Sequence, residues 1–188
     1  MTVVNVLGLD GSLQNFGIAV ARVDTDTNRI LYVDRLILSK TLKSTDKKMK
    51  RADDDFARFA KHYSMVRTLA TEFSVDCLYG EIPSGAQDAR AAFAFGGVTA
   101  LLSALSYDHK LITVTPAQVK LATTGMKHAD KEDVIKAIHS CFPDAPWIKS
   151  KKPNALNIQD AGGFYLTNAN EHLADACGTI LAGLKKLS

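Results

Sequence analysis

The stretch from Val3 to Val20, VVNVLGLDGSLQNFGIAV, decides how this chain folds. Its first eight residues are apolar at nearly every position, which is typical of a central strand covered on both faces. The strand ends in one carboxylate, Asp10, and the chain then turns through Gly11 and Ser12. An unpaired charge at the edge of a buried strand is costly unless a partner compensates it. The sequence therefore raises the question of what pairs with Asp10.

The order of the predicted elements gives the fold class. Strands are predicted from Phe16 to Val23 and from Ile30 to Leu38, joined by the turn DTDTN, so the first three strands form an antiparallel meander. The remaining predicted elements are a helix from about Asp55 to Phe73, a strand from Val75 to Glu81, a helix from about Ala86 to Tyr107, a strand from Leu111 to Thr115, a short helix from Pro116, a helix from about Asp130 to Cys141 and a closing helix from Glu171 to Lys186. This order predicts an α/β fold, a mixed five-stranded sheet with helices on both faces.

Length and composition set broad limits. The 188 residues are enough for one domain over positions 1–188, with an irregular, Pro-, Gly- and Lys-rich excursion at about 142–170. A polar run of mixed charge, KSTDKKMKRADDD, predicts a loop before the first helix.

The net charge of +3 permits a polyanionic partner without requiring one. Three cysteines without a CxxC spacing favour a reducing compartment, and the first residues lack a signal-peptide pattern. We therefore expect a cytoplasmic protein.

One uncharged segment, Ala91 to Tyr107, approaches the length of a membrane-spanning helix. It is rich in Ala, Gly and Ser, and Arg90 and Asp108 bracket it closely. A buried helix or a helix at a subunit interface is the better interpretation, and we expect no membrane partner.

Acidic residues stand at three element ends. Asp10 closes the first strand and Glu81 the fourth, and right-handed crossovers would bring both to one edge of the sheet. Asp175 lies in the first turn of the last helix, with His172 three residues before it on the same face. Each has an ordinary alternative as a turn residue, a solvated strand end or a helix-dipole partner. Together they favour a Mg²⁺ or Mn²⁺ site that would also take phosphate oxygens.

Four motifs in order resemble those of RuvC-type Holliday junction resolvases, which have the ribonuclease H-like nuclease fold. LGLDGSLQNFGIAV resembles the opening strand of that family with its catalytic aspartate. LYGEIPSGAQDARAAFAFGGVTALLSAL resembles its second acidic motif and the long helix that builds the family's dimer interface. VTPAQVKLATTGMKHADKEDV and HLADA resemble the lysine-bearing and final motifs. The resemblance covers nearly the whole chain except 142–170, and it implies a divergent, phage-type member.

The resemblance implies a Mg²⁺-dependent endonuclease, with Mn²⁺ as a substitute, in the cytoplasm of a bacterial or phage-infected cell. It implies a homodimer that cuts four-way DNA junctions by symmetric nicks, leaving 5′-phosphate and 3′-hydroxyl ends. The implied catalytic groups and metal ligands are Asp10, Glu81, His172 and Asp175, and the implied DNA contacts are Lys120, Lys131, Lys127, Ser84 and Gln87.

Two departures keep alternatives open. The family's usual Asp-Pro-Gly is Asp10-Gly11-Ser12 here, and IPSGAQ lacks the aromatic that many members carry after the second acid. Phe93 or Phe95 could replace it, although we expect both to face the core. A broader branched-DNA or flap endonuclease of the same fold is therefore the alternative. Less favoured are a junction-binding module without cleavage, and a sugar or acetate kinase, which would need a second domain that this length cannot supply.

Overall fold

A computed structural model describes residues 2–154 and 156–187. Five strands form the central sheet: β1 (Val3–Asp10), β2 (Asn15–Asp24), β3 (Arg29–Lys40), β4 (Cys77–Glu81) and β5 (Lys110–Val114). Five helices surround it: α1 (Arg51–Glu72), α2 (Ala89–Asp108), α3 (Pro116–Thr124), α4 (Lys131–Cys141) and α5 (Glu171–Leu187). The strand order is β3-β2-β1-β4-β5. β1 pairs with β2 and β2 with β3 in antiparallel fashion, whereas β4 is parallel to both β1 and β5. The predicted fold class is confirmed.

The sheet carries a separate apolar core on each face. Alternate side chains of β1 point to opposite faces, so Val6 packs with α4 and α5 while Leu7 and Leu9 pack with α1 and α2. α5 lies close against the sheet because glycines lack side chains there. A Cβ on Gly8 would overlap the carbonyl oxygen of Ala176 in α5. This close docking fixes where the first turn of α5 meets the end of β1.

Several predicted boundaries were wrong. α1 begins at Arg51 rather than about Asp55, because the acidic residues Asp53 and Asp54 fit its first turn, where the helix dipole favours negative charge. α2 begins at Ala89 rather than about Ala86, since the Asp88 carboxylate caps it by accepting from the Ala91 N–H at 2.7 Å. Sequence patterns locate the apolar periodicity of a helix better than its ends.

The excursion at 142–170 is less irregular than predicted. It contains a short antiparallel pair, β6 (Lys149–Ser150) with β7 (Tyr165–Leu166), followed by a 3₁₀ turn (Asn168–Asn170). Buried side chains of this segment, Trp147, Leu156 and Leu166, belong to the same core as α4 and α5. The segment therefore completes one hydrophobic core instead of lying wholly in solvent.

The uncharged segment forms α2, whose length and composition alone would let it cross a membrane. In the fold it packs one face on the sheet through Val98, Leu101, Leu102 and Leu105. The remainder of α2 borders α1 and is largely exposed.

Candidate active site

Asp10 and Glu81 lie side by side at one edge of the sheet. β1 and β4 run parallel with Leu9 opposite Gly80, and each carboxylate is the next residue of its strand. Gly8 of β1 and Tyr79 of β4 contact α5. Because side chains alternate along a strand, Asp10 and Glu81, two residues later, lie on the same face of the sheet as α5. The predicted meeting of the first two acidic residues is thus a direct result of the strand register.

α5 supplies the other two predicted residues. The His172 ring donates from Nδ1 to Asp10 Oδ2 at 2.6 Å. A Cβ on Gly17 of β2 would overlap the His172 carbonyl oxygen, so the glycine lets the first turn of α5 reach the end of the sheet. Asp175 lies one turn further along α5 and is partly buried. It is close enough for charge repulsion with Asp10 and Glu81. All four predicted site residues are therefore brought together.

Burial and neighbouring acidic groups raise the pKa values of Glu81 and Asp175. Burial raises the pKa of Glu81 well above its ordinary value, and the charges of Asp10 and Asp175 add to the rise. Burial likewise raises the pKa of Asp175, with Asp10 and Glu171 as further causes, while His172 and Lys120 oppose it. A cluster of this kind has excess negative charge and gains free energy from a bound cation.

Burial of His172 opposes its protonation, but its hydrogen bond to Asp10 and the surrounding carboxylates outweigh burial and raise its pKa. Donation from Nδ1 leaves Nε2 as the acceptor in the neutral ring. His172 thereby satisfies one oxygen of Asp10. This contact supplies part of the compensation that the lone charge at the end of β1 requires.

The donor chemistry fits a hard divalent cation, since carboxylate oxygens are the ligands that Mg²⁺ and Mn²⁺ prefer. Among residues 2–154 and 156–187, however, no group of three or more acidic, histidine or cysteine side chains is arranged tightly enough to hold an ion. Binding an ion would require these side chains to turn toward it.

The predicted basic residues occupy different positions. Lys120 on α3 lowers the pKa values of Glu81 and Asp175 electrostatically, so it stands within reach of the cluster. Lys131, at the start of α4, pairs with Glu171 at 2.5 Å and lies at the border of the cluster. The remaining predicted DNA contacts are exposed and form no described contact with the carboxylates: Lys127, Ser84 and Gln87.

Glu171 is a site residue that the sequence analysis missed. It begins α5, binds Lys131 and adds negative charge beside Asp175. The available signal was its place immediately before His172, which puts it in the same helical turn as the predicted acid.

The turn after Asp10 is held by hydrogen bonds rather than by a proline. The Ser12 hydroxyl donates to the Asn15 carbonyl at 2.6 Å and accepts from the Asn15 N–H at 3.0 Å. Within the same turn, the Leu13 carbonyl accepts from the Thr41 hydroxyl at 2.6 Å and from Nε2 of His62 at 3.1 Å. The Asp10-Gly11-Ser12 departure thus gives a closed, anchored turn.

Phe93 does not face the core as predicted. Its side chain is 51% exposed, and the Arg90 guanidinium lies 5.5 Å from its ring centre. Arg90 also forms a double ion pair with the buried Asp55 of α1, with Nη2 to Oδ1 at 2.7 Å. Phe95 is partly buried. Arg90 thus joins the start of α2 to α1 and places an aromatic ring at the surface.

The strand order β3-β2-β1-β4-β5, with helices around the sheet, matches the ribonuclease H-like fold. The chain is similar to Thermus thermophilus RuvC solved with a Holliday junction substrate, with a TM-score of 0.66, 18% identity and coverage of 95% of this chain and 92% of that one. It is also similar to the yeast mitochondrial Holliday junction resolvase Ydc2 (TM-score 0.56, 15% identity, 96% and 80% covered). A third similar structure is fowlpox virus resolvase with junction DNA (TM-score 0.53, 13% identity, 97% and 98% covered). No protein-family model and no curated protein sequence matches the chain.

Proposed function

We propose that this protein is a divalent-metal-dependent endonuclease that resolves four-way DNA junctions by paired symmetric nicks. The observation that carries the proposal is the carboxylate cluster of Asp10, Glu81 and Asp175 at the sheet edge of a resolvase fold. Similar structures include complexes with Holliday junction DNA, which supports a branched DNA substrate here.

The residues of the cluster divide the work of hydrolysis. Asp10, Glu81, Asp175 and His172 would hold Mg²⁺, or Mn²⁺ in its place. When bound, such ions supply an activated water and stabilise the leaving 3′ oxygen. His172 is oriented through Nδ1 by Asp10, and its one remaining lone pair, on Nε2, would serve either as a ligand of the ion or as the acceptor of a proton during attack. The products would carry 5′-phosphate and 3′-hydroxyl ends.

Lysines beside the cluster bind the DNA backbone in this proposal. Lys120 and Lys131 neutralise phosphates next to the cleaved bond, while Lys127, Ser84 and Gln87 offer further contacts from exposed loops. Because such contacts do not depend on base identity, selectivity would come from the shape and deformability of the junction.

Two symmetric nicks require two sites, which a homodimer supplies. The groove between α1 and α2 is lined mainly by apolar side chains and is open to solvent. At its rim Phe56 is 76% exposed. An apolar surface of this kind at the resolvase-like long helix favours a second copy of the chain as its partner.

The alternative is a broader branched-DNA or flap endonuclease. One observation favours it: residues 82–88, which follow Glu81, contain no aromatic side chain to stack at a junction. The exposed ring of Phe93 is the nearest candidate along the chain for that role.

The test is cleavage of labelled four-way, three-way, flap and linear substrates by the purified protein with Mg²⁺ or with EDTA. We expect paired nicks on the four-way junction and only with metal. If the protein cuts flaps with Mg²⁺ but leaves the four-way junction uncut, the flap endonuclease is favoured. If it binds DNA but cuts none of the substrates, both the resolvase and the flap endonuclease are contradicted.

A further inference from the structure

A strongly basic segment, residues 40–51, lies outside the site described above. Its sequence KTLKSTDKKMKR contains six basic residues and one acid, Asp46. All six basic residues are exposed: Lys40, Lys43, Lys47, Lys48, Lys50 and Arg51. Among residues 2–154 and 156–187, no carboxylate lies within ion-pairing distance of them. The five lysines of this segment therefore present positive charge that no ion pair offsets, whereas Arg51 also interacts electrostatically with the buried Asp55.

The structure separates charges that look mixed in sequence. Of the three acidic residues that follow the segment, Asp53 is exposed, whereas Asp54 and Asp55 are buried. Asp54 Oδ1 accepts from the Ser44 N–H at 3.1 Å. Asp55 accepts hydrogen bonds from the guanidinium of Arg90, a residue of α2. Within the segment, Asp46 Oδ1 accepts from the Lys48 N–H at 2.8 Å. Asp46, Asp54 and Asp55 thus satisfy backbone and interior groups, while the lysines point to solvent.

The segment begins at the same edge of the sheet as the carboxylate cluster. Lys40 pairs with Asn15, and one row across the sheet joins Leu38, Gly17 and Asp10. Since neighbouring strands lie about 4.8 Å apart, the end of β3 stands about 10 Å across the sheet from Asp10. In the strand order it lies on the opposite side of the cluster from β5 and α3, which carries Lys120.

Hydrogen bonds hold the segment in place relative to the cluster. The Thr41 N–H donates to the Gln14 carbonyl at 2.9 Å, and its hydroxyl donates to Leu13 at 2.6 Å. The Nε of Arg58 donates in turn to the Thr41 hydroxyl at 3.0 Å. The start of the segment is therefore fixed to the turn that follows Asp10.

We propose that residues 40–51 form a second phosphate-binding surface, which holds a duplex arm of the DNA on the side of the cluster opposite Lys120. This proposal rests on the proposed function and extends it. The segment leaves β3 about 10 Å across the sheet from Asp10, and its exposed lysines can each neutralise a phosphate of a duplex that extends past the cluster on this side. Backbone contacts of this type orient the substrate and contribute affinity without reading sequence.

The test compares two doubly substituted proteins that each lose two positive charges. Lys43→Gln/Lys47→Gln changes the basic segment, and Arg29→Gln/Lys110→Gln changes exposed residues at the first positions of β3 and β5, at the opposite edge of the sheet. Binding to a labelled four-way junction is measured in EDTA over a series of salt concentrations. Cleavage is measured separately with Mg²⁺ at saturating protein.

We expect Lys43→Gln/Lys47→Gln to weaken junction binding about tenfold at low salt and to reduce the salt slope by about 2, because about two phosphate contacts are lost. The control should stay within about twofold of wild type in both junction binding and saturated cleavage. If the two variants bind equally well while wild type cuts the junction, the surface is wrong and the nuclease stands. If wild type binds but does not cut and Lys43→Gln/Lys47→Gln still binds more weakly, the surface stands and the nuclease is wrong.

Discussion

Replacing Glu81 with glutamine should make the metal-free protein more stable. In the unfolded chain this carboxyl ionises above its ordinary pKa of 4.5. In the folded protein, burial and the charges of Asp10 and Asp175 raise that pKa, so above pH 4.5 the folded state must either retain a repelled charge or bind a proton. Both cost free energy. The neutral amide of Glu81→Gln avoids both costs but loses the attraction of Lys120.

The expected gain is about 1–3 kcal/mol, the range seen when buried charges are replaced by neutral groups of similar size. For a domain of this length that corresponds to a rise of about 3–10 °C in melting temperature. The sign follows from linkage. A raised folded-state pKa leaves stability intact below the unfolded pKa and removes it as the pH rises through the folded value. The difference between Glu81→Gln and wild type should therefore be small near pH 4 and largest near pH 8.

Mg²⁺ should stabilise wild type more than it stabilises Glu81→Gln. If Mg²⁺ binds at the cluster, a concentration ten times its dissociation constant stabilises wild type by about 1.4 kcal/mol. Glu81→Gln, which lacks one ligand, should gain much less. The assay is thermal unfolding at about pH 4 and pH 8, with EDTA and with Mg²⁺. A Glu81→Gln protein that melts below wild type at pH 8 without metal, or that responds equally to Mg²⁺, would refute this reasoning.

Three further predictions concern the surroundings of the site. Asp55→Asn should destabilise the protein by about 1.5–3 kcal/mol in urea unfolding, because it removes the charge-assisted hydrogen bonds of the Arg90 guanidinium, which stays in contact with water; a loss below about 0.5 kcal/mol would show that the pair is not structural. Gly17→Ala should displace the start of α5 at the His172 carbonyl, so junction cleavage should fall at least tenfold while junction binding persists; unchanged cleavage would mean that this contact is not needed. Burial lowers the pKa of His62, so below pH 6.5 the unfolded chain binds a proton that the folded chain refuses, and stability is lost as the pH falls. His62→Gln should reduce the slope of unfolding free energy between pH 6.5 and 5 by up to about 1.4 kcal/mol per pH unit, and an identical slope would contradict this assignment.

The sequence predicted those parts of the site that depend on local pattern. Asp10 and Glu81 end apolar strands, and a parallel crossover is enough to bring them together. Asp175 and His172 share one helical face, which spacing alone reveals. These placements depend on strand and helix periods, which local sequence carries, while the roles of the four residues stay a prediction.

Contacts between distant segments could not be predicted in this way. The double ion pair of Arg90 with Asp55 joins positions 35 residues apart, and nothing in either local pattern specifies it. The exposure of Phe93 follows from that pairing and from the groove between α1 and α2. Likewise, the sequence gives the charges of residues 40–51 but not which of the neighbouring acids turn inward. Such features depend on tertiary packing, which overrides local preference.

The central claim is tested most directly with wild type and Asp10→Asn on a labelled immobile four-way junction, with Mg²⁺ or with EDTA. Asp10→Asn keeps the shape of the side chain at the end of β1 and removes its charge. We predict paired nicks by wild type with Mg²⁺ alone, and no cleavage by Asp10→Asn although it still binds the junction. Cleavage by Asp10→Asn at a rate near that of wild type, or cleavage by wild type in EDTA, would contradict the proposed mechanism.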